Sequence, residues 1–303
     1  MNFTKAALSK FLQNTKLNQK AASFVLGNES GDLDSSIGSI IYSFFISLKS
    51  QKDDSPVPIL NYKSADFSLR PELVAVLDRV NIPKSSLTFI DDLNFSEIKI
   101  EEIRLVDHNK LINSQLFLKD YVTEVIDHHF DESNYLSNLK HKKILTVGSV
   151  CTLIAELCLE EGQLKDEEIA RLLLSVILSD TYNLHPGDRT TEKDVQISKA
   201  LANVIDPSKP SLEVFNEVFQ FVDNAKSSVD SLSTNDLLRK DYKLGDVVTK
   251  SNKTIKMGIA SAPISFTKFI NREATVINEL SSYSESNQLD VQDFLNFSFF
   301  ICY

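Results

Sequence analysis

Eight ionisable side chains stand where an apolar run gives way to polar residues. The stretch "VLGNESGDLDSS" carries Asp32 and Asp34, "RLVDHN" carries Asp107 and His108, "TEVIDHHF" carries Asp127, His128 and His129, and "LLLSVILSD" ends on Asp180. Each piece alone has an ordinary explanation, because Asn, Gly, Ser and Asp are common turn residues and a histidine pair is commonly packing. Together they pose a problem of charge. Carboxylates gathered on one edge repel, and the usual escape is to take up protons. A divalent cation removes the conflict and explains the interspersed imidazoles, since aspartate oxygen with imidazole nitrogen suits Mg2+, Mn2+ or a similar ion. Two such ions sharing carboxylates form a common device for phosphoryl transfer, in which the phosphate is polarised and a water activated.

For that chemistry the residues must share an edge, and the order of elements provides one. Short strand-like runs ("SFVLG", "VPILNY", "SLTFIDD", "EIRLVDHN", "TEVIDHHF", "KKILTVGS") alternate with helix-like patterns such as "DSSIGSIIYSFFISLKS", "RPELVAVLDRV" and "SVCTLIAELCLEE". Pro71 suits a first helical turn, and "DEEIARLLLSVILSDTYN" opens with acidic residues at its positive end. This alternation predicts an α/β fold with a doubly wound, mainly parallel sheet and helices on both faces. Ligands of such sheets collect at the carboxyl ends of the strands near the switch point. Asp32, Asp34, Asp107 and Asp127 would all fall there.

A change of character near "ANVIDPSKPSLEVF", where Pro207 and Pro210 flank a polar link, divides the chain into residues 1–205 and a smaller α/β domain, 206–303. The second part reads as a helix from about Leu212 to Leu232, a strand "TIKMGIAS" and one helix over "FTKFINREATVINELSSYS". The closing "DFLNFSFFICY" reads as a buried strand left with an open edge, so the second domain is expected to be incomplete and the chain cut short.

A chain of 303 residues exceeds what one hydrophobic core usually serves, in keeping with two domains. The net charge of -10 argues against a nonspecific nucleic-acid binder, and a polyanionic substrate would have to be drawn by local cations or bound metal. No apolar run is long enough to span a bilayer, so no membrane partner is expected. Cys151, Cys158 and Cys302 lie in apolar surroundings without a CxxC spacing and read as buried thiols of a reducing compartment, the cytoplasm. Lysines without an acidic residue before Glu29 leave a mitochondrial presequence open; the spacing of Phe3, Ala7, Leu8, Phe11 and Leu12 fits a packed helix equally well.

"VIDHHFDE" at 125–132 carries the Asp-His-His signature of the DHH phosphoesterase superfamily, which the chain resembles over residues 24–183. "GDLDS" is similar to the first motif, "RLVDHN" to the second, "VGSVCT" to the glycine-serine segment after the signature and "VILSDT" to the fourth. Within the superfamily, "GNESGDLDS", "ADFSLRPELVAVL", "LLRKDYK" and "IKMGIAS" resemble the fungal cytosolic exopolyphosphatases, relatives of the family II inorganic pyrophosphatases. The resemblance implies a hydrolase removing terminal phosphate from inorganic polyphosphate with two or more divalent ions, Mg2+ or Mn2+. A chain of this kind is expected to work as a monomer. The implied metal ligands are Asp32, Asp34, Asp107, His128 and Asp180, with Asp107 and Asp180 bridging. His129 would face the phosphate as the catalytic residue with Asp127 supporting the site behind it. Asn28, His108, Arg239, Lys240 and Lys243 would meet substrate, and Lys142 and Lys143 would extend the basic track.

Asn28 stands where the pyrophosphatases have a metal-binding histidine, which favours Mg2+ and polyphosphate. A further Arg-Lys pair that the family brings to substrate near the end of its second domain has no counterpart here. Two alternatives therefore stay open, a manganese-dependent pyrophosphatase and a catalytically impaired polyphosphate-binding protein. A phosphodiesterase of nanoRNA or cyclic dinucleotides is disfavoured, because the second domain carries "LLRKDYK" and lacks the glycine-rich motif of those enzymes.

Overall fold

The computed structural model describes residues 3–17, 23–49, 55–187, 189–230, 232–240, 242–262, 264–272 and 276–296, the side chains of residues 243, 244, 262 and 291–296 excepted. The chain divides into two units, Met1–Ala65 with Glu72–Asp223, and Asp66–Pro71 with Asn224–Tyr303.

In the larger unit the six short apolar runs become one sheet: β1 (Ser23–Leu26), β2 (Val57–Leu60), β3 (Thr88–Phe89), β4 (Glu102–Val106), β5 (Val122–Asp127) and β6 (His141–Ile144). Every pairing is parallel and the order is β3-β2-β1-β4-β5-β6. Strands β1 and β2 are buried at every position, which is why they read as unbroken apolar runs and not as alternating ones. The strand order reverses between β1 and β4, so the switch point lies where Gly27 and Asp107 follow those strands.

Helices α1 (Lys5–Leu17), α2 (Leu33–Lys49), α3 (Pro71–Arg79), α4 (Val150–Glu160), α5 (Glu167–Asp180), α6 (Glu192–Ile205) and α7 (Ser211–Ser227) complete this unit. Helix α2 is buried from Leu33 to Phe45 and packs on β1 and β2. The N-terminal apolar stripe is a packed helix face, with the Phe3 and Phe11 rings 4.9 and 5.4 Å from Phe44. The opposite sheet face departs from the sequence expectation. There Phe24, Leu26, Ile103, Leu105 and Val125 are covered by Leu111, Leu118 and Leu136, from loops and the 3-10 turn Asn113–Tyr121. The Pro207–Pro210 link does not end the unit either. Helix α7 buries Val214, Phe215, Val218 and Val222, and its Phe221 ring lies 5.6 Å from the Arg79 guanidinium of α3.

The smaller unit contains α8 (Thr234–Lys240), β7 (Tyr242–Val248), β8 (Thr254–Ala262), α9 (Phe266–Ile270), α10 (Val276–Ser286) and β9 (Val291–Asn296). Its sheet runs β7-β8-β9, antiparallel then parallel, over a core that includes Leu237, Leu238, Ala260, Phe269 and Val276. The one helix expected over "FTKFINREATVINELSSYS" is two: Asn271 closes α9, and Arg272 turns back to donate to the carbonyls of Val229 and Leu232. The final apolar residues 297–303, Cys302 among them, lie outside the described residues, whereas Cys151 and Cys158 are buried free thiols. Among the described residues no helix is long and apolar enough to cross a membrane.

Candidate metal centre

Three side chains from separate segments converge beyond the carboxyl ends of β1, β4 and β5, at the switch point. His128 Nε2 lies 3.2 Å from Asp107 Oδ1 and 3.6 Å from Asp34 Oδ2. Neighbouring ligand atoms around a six-coordinate ion with bonds of about 2.1 Å stand about 3 Å apart, and the His128–Asp107 pair stands close to that spacing.

Local structure explains each position. Strand β4 ends at Val106, and Asp107 takes φ 66°, a left-handed conformation uncommon outside glycine that breaks the strand at the site. Asn28 braces it: its Nδ2 donates to the Asp107 carbonyl (3.2 Å) and to Asp107 Oδ2 (3.1 Å). Its own Oδ1 accepts from Ser30 N and Oγ, so this amide is engaged within the site wall.

Asp34 faces the start of α4. Its Oδ1 accepts from Ser149 Oγ (2.7 Å) and Cys151 N (3.0 Å), and its Oδ2 from Val150 N (2.7 Å), as the positive end of a helix favours. The same segment fixes His128, whose Nδ1 lies 2.8 Å from the Val147 carbonyl. A carbonyl can only accept, so Nδ1 carries a proton, and Nε2 is the nitrogen turned to Asp107 and Asp34, the one a metal ion would take in place of its proton. Gly148 is obligatory in this wall, since a Cβ there would lie 2.4 Å from the Arg189 carbonyl oxygen and from Thr181 Cγ2.

Asp127 behaves differently. It is fully buried; its Oδ1 accepts from His128 N (2.7 Å), His129 N (3.2 Å) and His129 Nδ1 (2.8 Å), and its Oδ2 from Asn109 Nδ2. One ligand atom each from Asp107, Asp127, His128 and His129 fall within 4.8 Å of one another. Both oxygens of Asp127 are thus engaged, three of the four donors coming from the two histidines that follow it. The His129 side chain is 54% exposed, and its bond to Asp127 is made through Nδ1.

The electrostatics call for a cation. Burial, then the charges of Asp32 and Asp34, push the Asp107 carboxyl well above the carboxylate range against the bond from His128. Burial pulls His128 down, but its bond to Asp107 and the charges of Asp34 and Asp107 outweigh this and push the imidazole up to about 10. A proton held between three ligand-type atoms stands in for what a divalent ion supplies, and the mixed carboxylate and imidazole set suits Mg2+ or Mn2+. Burial also raises Asp127, yet hydrogen bonds from His129 and Asn109 outweigh it and hold the carboxyl below its ordinary range.

The remaining residues singled out from the sequence are spread more widely. Asp32 is exposed and caps α2, its Oδ1 accepting from Ser35 N at 2.9 Å, and its charge is felt at Asp107. Asp180 ends α5, and its charge, like those of Asp34 and Asp107, is felt at Cys151. His108, expected at substrate, is turned inward. Its Nδ1 lies 3.0 Å from the Val106 carbonyl, Nε2 is buried without a hydrogen-bond partner among the described residues, and burial lowers its pKa, so the ring is neutral and enclosed.

Arg239 and Lys240 end α8 in the smaller unit, with Arg239 paired to Asp66, and the Lys243 side chain lies outside the described residues. Lys142 and Lys143 are tied to Asp131 (2.8 Å) and Glu156 (2.7 Å). The sequence reading missed Asn109, Ser149, Asp194 and the Val147 carbonyl. Ser149 carried a signal, a serine after glycine before an apolar helical run, which is an N-cap pattern.

Residues 222–297 match the DHHA2 domain. The chain is 29% identical over 272 residues to Exopolyphosphatase PRUNE1 of Homo sapiens, an alignment covering 88% of this chain and 58% of that one. It is 34% identical over 235 residues to a Schizosaccharomyces pombe protein assigned as an exopolyphosphatase, covering 73% and 59%. The chain thus spans less than two thirds of the length of these relatives. A Methanococcus jannaschii crystal structure assigned to the family II inorganic pyrophosphatases shares its fold, with a TM-score of 0.62 at 22% identity over 90% of this chain and 83% of that one.

Proposed function

The chain is a relative of the exopolyphosphatases of the DHH phosphoesterase superfamily, and from that premise we propose that it hydrolyses the terminal phosphoanhydride bond of inorganic polyphosphate. The carrying observation is the convergence of Asp34, Asp107 and His128 Nε2 at the switch point. In this reading Asp34, Asp107 and His128 hold two or more divalent ions, Mg2+ or Mn2+, with Asp32 and Asp180 completing the set. Divalent ions bound there would supply Lewis acidity at the phosphate oxygens and acidify the attacking water.

The chain's own residues do the rest. His129, held through Nδ1 by Asp127, keeps Nε2 free to carry a proton to the oxygen of the departing phosphate chain as the bond to the terminal phosphorus breaks. Arg239 and Lys240 provide positive charge for a long polyanion that a protein of net charge -10 would otherwise repel. The larger unit is then the catalytic one and the smaller, Asp66–Pro71 with Asn224–Tyr303, the substrate-binding one.

The test is phosphate release from long-chain polyphosphate and, separately, from pyrophosphate, each with Mg2+ and with Mn2+, beside Asp127→Ala. Release from polyphosphate that the variant abolishes supports the reading. Release from pyrophosphate alone makes the chain a pyrophosphatase, and binding of polyphosphate without release makes it a binding protein; either result overturns the proposal.

A further inference from the structure

We propose that Asn109 is a positioning residue for this reaction, setting the orientation of His129 through Asp127; the inference deepens the reading of the site given above. Asn109 is 4% exposed, and it sits two residues beyond Asp107 in the loop that follows β4. Its side-chain bonds run to the last residue of β5 and to the loop that follows it. Nδ2 donates to Asp127 Oδ2 and to the Phe130 carbonyl (2.9 Å), while Oδ1 accepts from Glu132 N (2.7 Å). An amide has two N–H groups, and here both go to residues on either side of His129.

Two consequences follow. The donor on Oδ2 fixes the rotation of the Asp127 carboxylate and leaves Oδ1 to the backbone and Nδ1 of His129. The chain beyond His129 is also tied, by ion pairs of Asp131 with Lys142 and of Glu132 with Lys110 on its outer side and by Asn109 on its buried side. Phe130 is 86% exposed, so its ring does not anchor the loop, whereas Asn109 fixes the backbone there by donating to the Phe130 carbonyl and accepting from Glu132 N. Without Asn109, Asp127 Oδ2 would be a buried acceptor with no donor, and His129 would lose the fixed acceptor that aims it.

Donor chemistry and mere space-filling can be separated. Asn109→Asp keeps the shape but sets an acceptor against Asp127 and the Phe130 carbonyl, whereas Asn109→Ala removes the group. The double exchange Asn109→Asp with Asp127→Asn restores donor against acceptor between positions 109 and 127, though not at the Phe130 carbonyl, while keeping an oxygen for His129. The full chain would be assayed with Mg2+ and polyphosphate. Expected for both single variants is a fall in kcat of roughly 10- to 100-fold, as for sub-ångström to ångström misplacement, with KM and Mg2+ affinity within about threefold. The double exchange should recover about tenfold over Asn109→Asp.

A second readout is independent of turnover: the Nδ1–H resonance of His129 in the Mg2+-loaded, 15N-histidine protein. It should be present in the parent, broadened by exchange in both single variants and restored in the double exchange. Asn109→Asp with unchanged kcat, or a His129 resonance indifferent to all three variants, overturns the proposal. If the parent releases no phosphate while the resonance responds as described, the polyphosphate reading fails and the positioning role stands.

Discussion

His128 is defined by its two ring nitrogens. One donates to the Val147 carbonyl at 2.8 Å and the other faces two carboxylates at 3.2 and 3.6 Å, so its ligand character depends on a lone pair at Nε2 and not on its charge. His128→Gln keeps a polar side chain of similar reach but offers no such nitrogen. The apparent affinity for Mg2+ or Mn2+ should fall at least about tenfold by isothermal titration, the lower end of what even outer supports of a metal cost. Equal affinity in a folded variant would remove His128 from the ligand set. The acidic and histidine members of the site were legible in the sequence because each one interrupts an apolar run. What was not legible is who holds them. Asp34 depends on Ser149 and Asp127 on Asn109, pairings 115 and 18 residues apart that no local pattern encodes. The inward turn of His108 was hidden for the same reason, since its bond to the Val106 carbonyl follows from the left-handed Asp107 between them.

Among the elements, the start of α4 is the wall of the site, and Asp194 on α6 is what fixes it. Asp194 is fully buried; its Oδ2 accepts from Gly148 N (2.8 Å), Thr191 N (2.8 Å) and Thr191 Oγ1 (2.7 Å), and its Oδ1 from Thr152 Oγ1 (2.6 Å). Asp194→Ala would leave several buried donors unmatched, at a cost of about 3 kcal/mol or more. In a unit of this size that lowers Tm by roughly 6–12 °C. Because Val147 and Ser149 flank Gly148, Mg2+ affinity should fall as well. Thermal unfolding and metal titration of this one variant check both, and an unchanged pair of values would show that α4 holds its own position. Strand–helix alternation made the parallel sheet legible, since buried parallel strands are short apolar runs. The 3-10 turn and loops over the second face, by contrast, have no period to read. The break between α9 and α10 was hidden because Arg272 leaves the helical pattern for carbonyls of Val229 and Leu232, some forty residues upstream.

For the whole molecule, the net charge of -10 and the clustering of Asp32, Asp34 and Asp107 act in one direction: both make cation binding favourable to the folded larger unit and indifferent to the unfolded chain. Every ligand proposed above lies in that unit, and none lies in Asn224–Tyr303. Metal should therefore stabilise the two units unequally. A ligand at about a thousand times its Kd adds about 4 kcal/mol to the state that binds it, or roughly 8–16 °C in Tm for a unit of this size. Calorimetry with saturating Mg2+ against EDTA should show an upward shift of that order in the transition carrying most of the unfolding enthalpy, with any separate transition of the smaller unit left in place. Asp107→Ala, which removes the carboxylate that both Asp32 and Asp34 destabilise, should raise the metal-free Tm slightly or leave it, and abolish the shift. The two effects together separate a built metal site from a diffuse acidic surface. Diffuse attraction would survive the loss of one carboxylate and weaken with monovalent salt, whereas a coordinated ion depends on that oxygen and is screened much less.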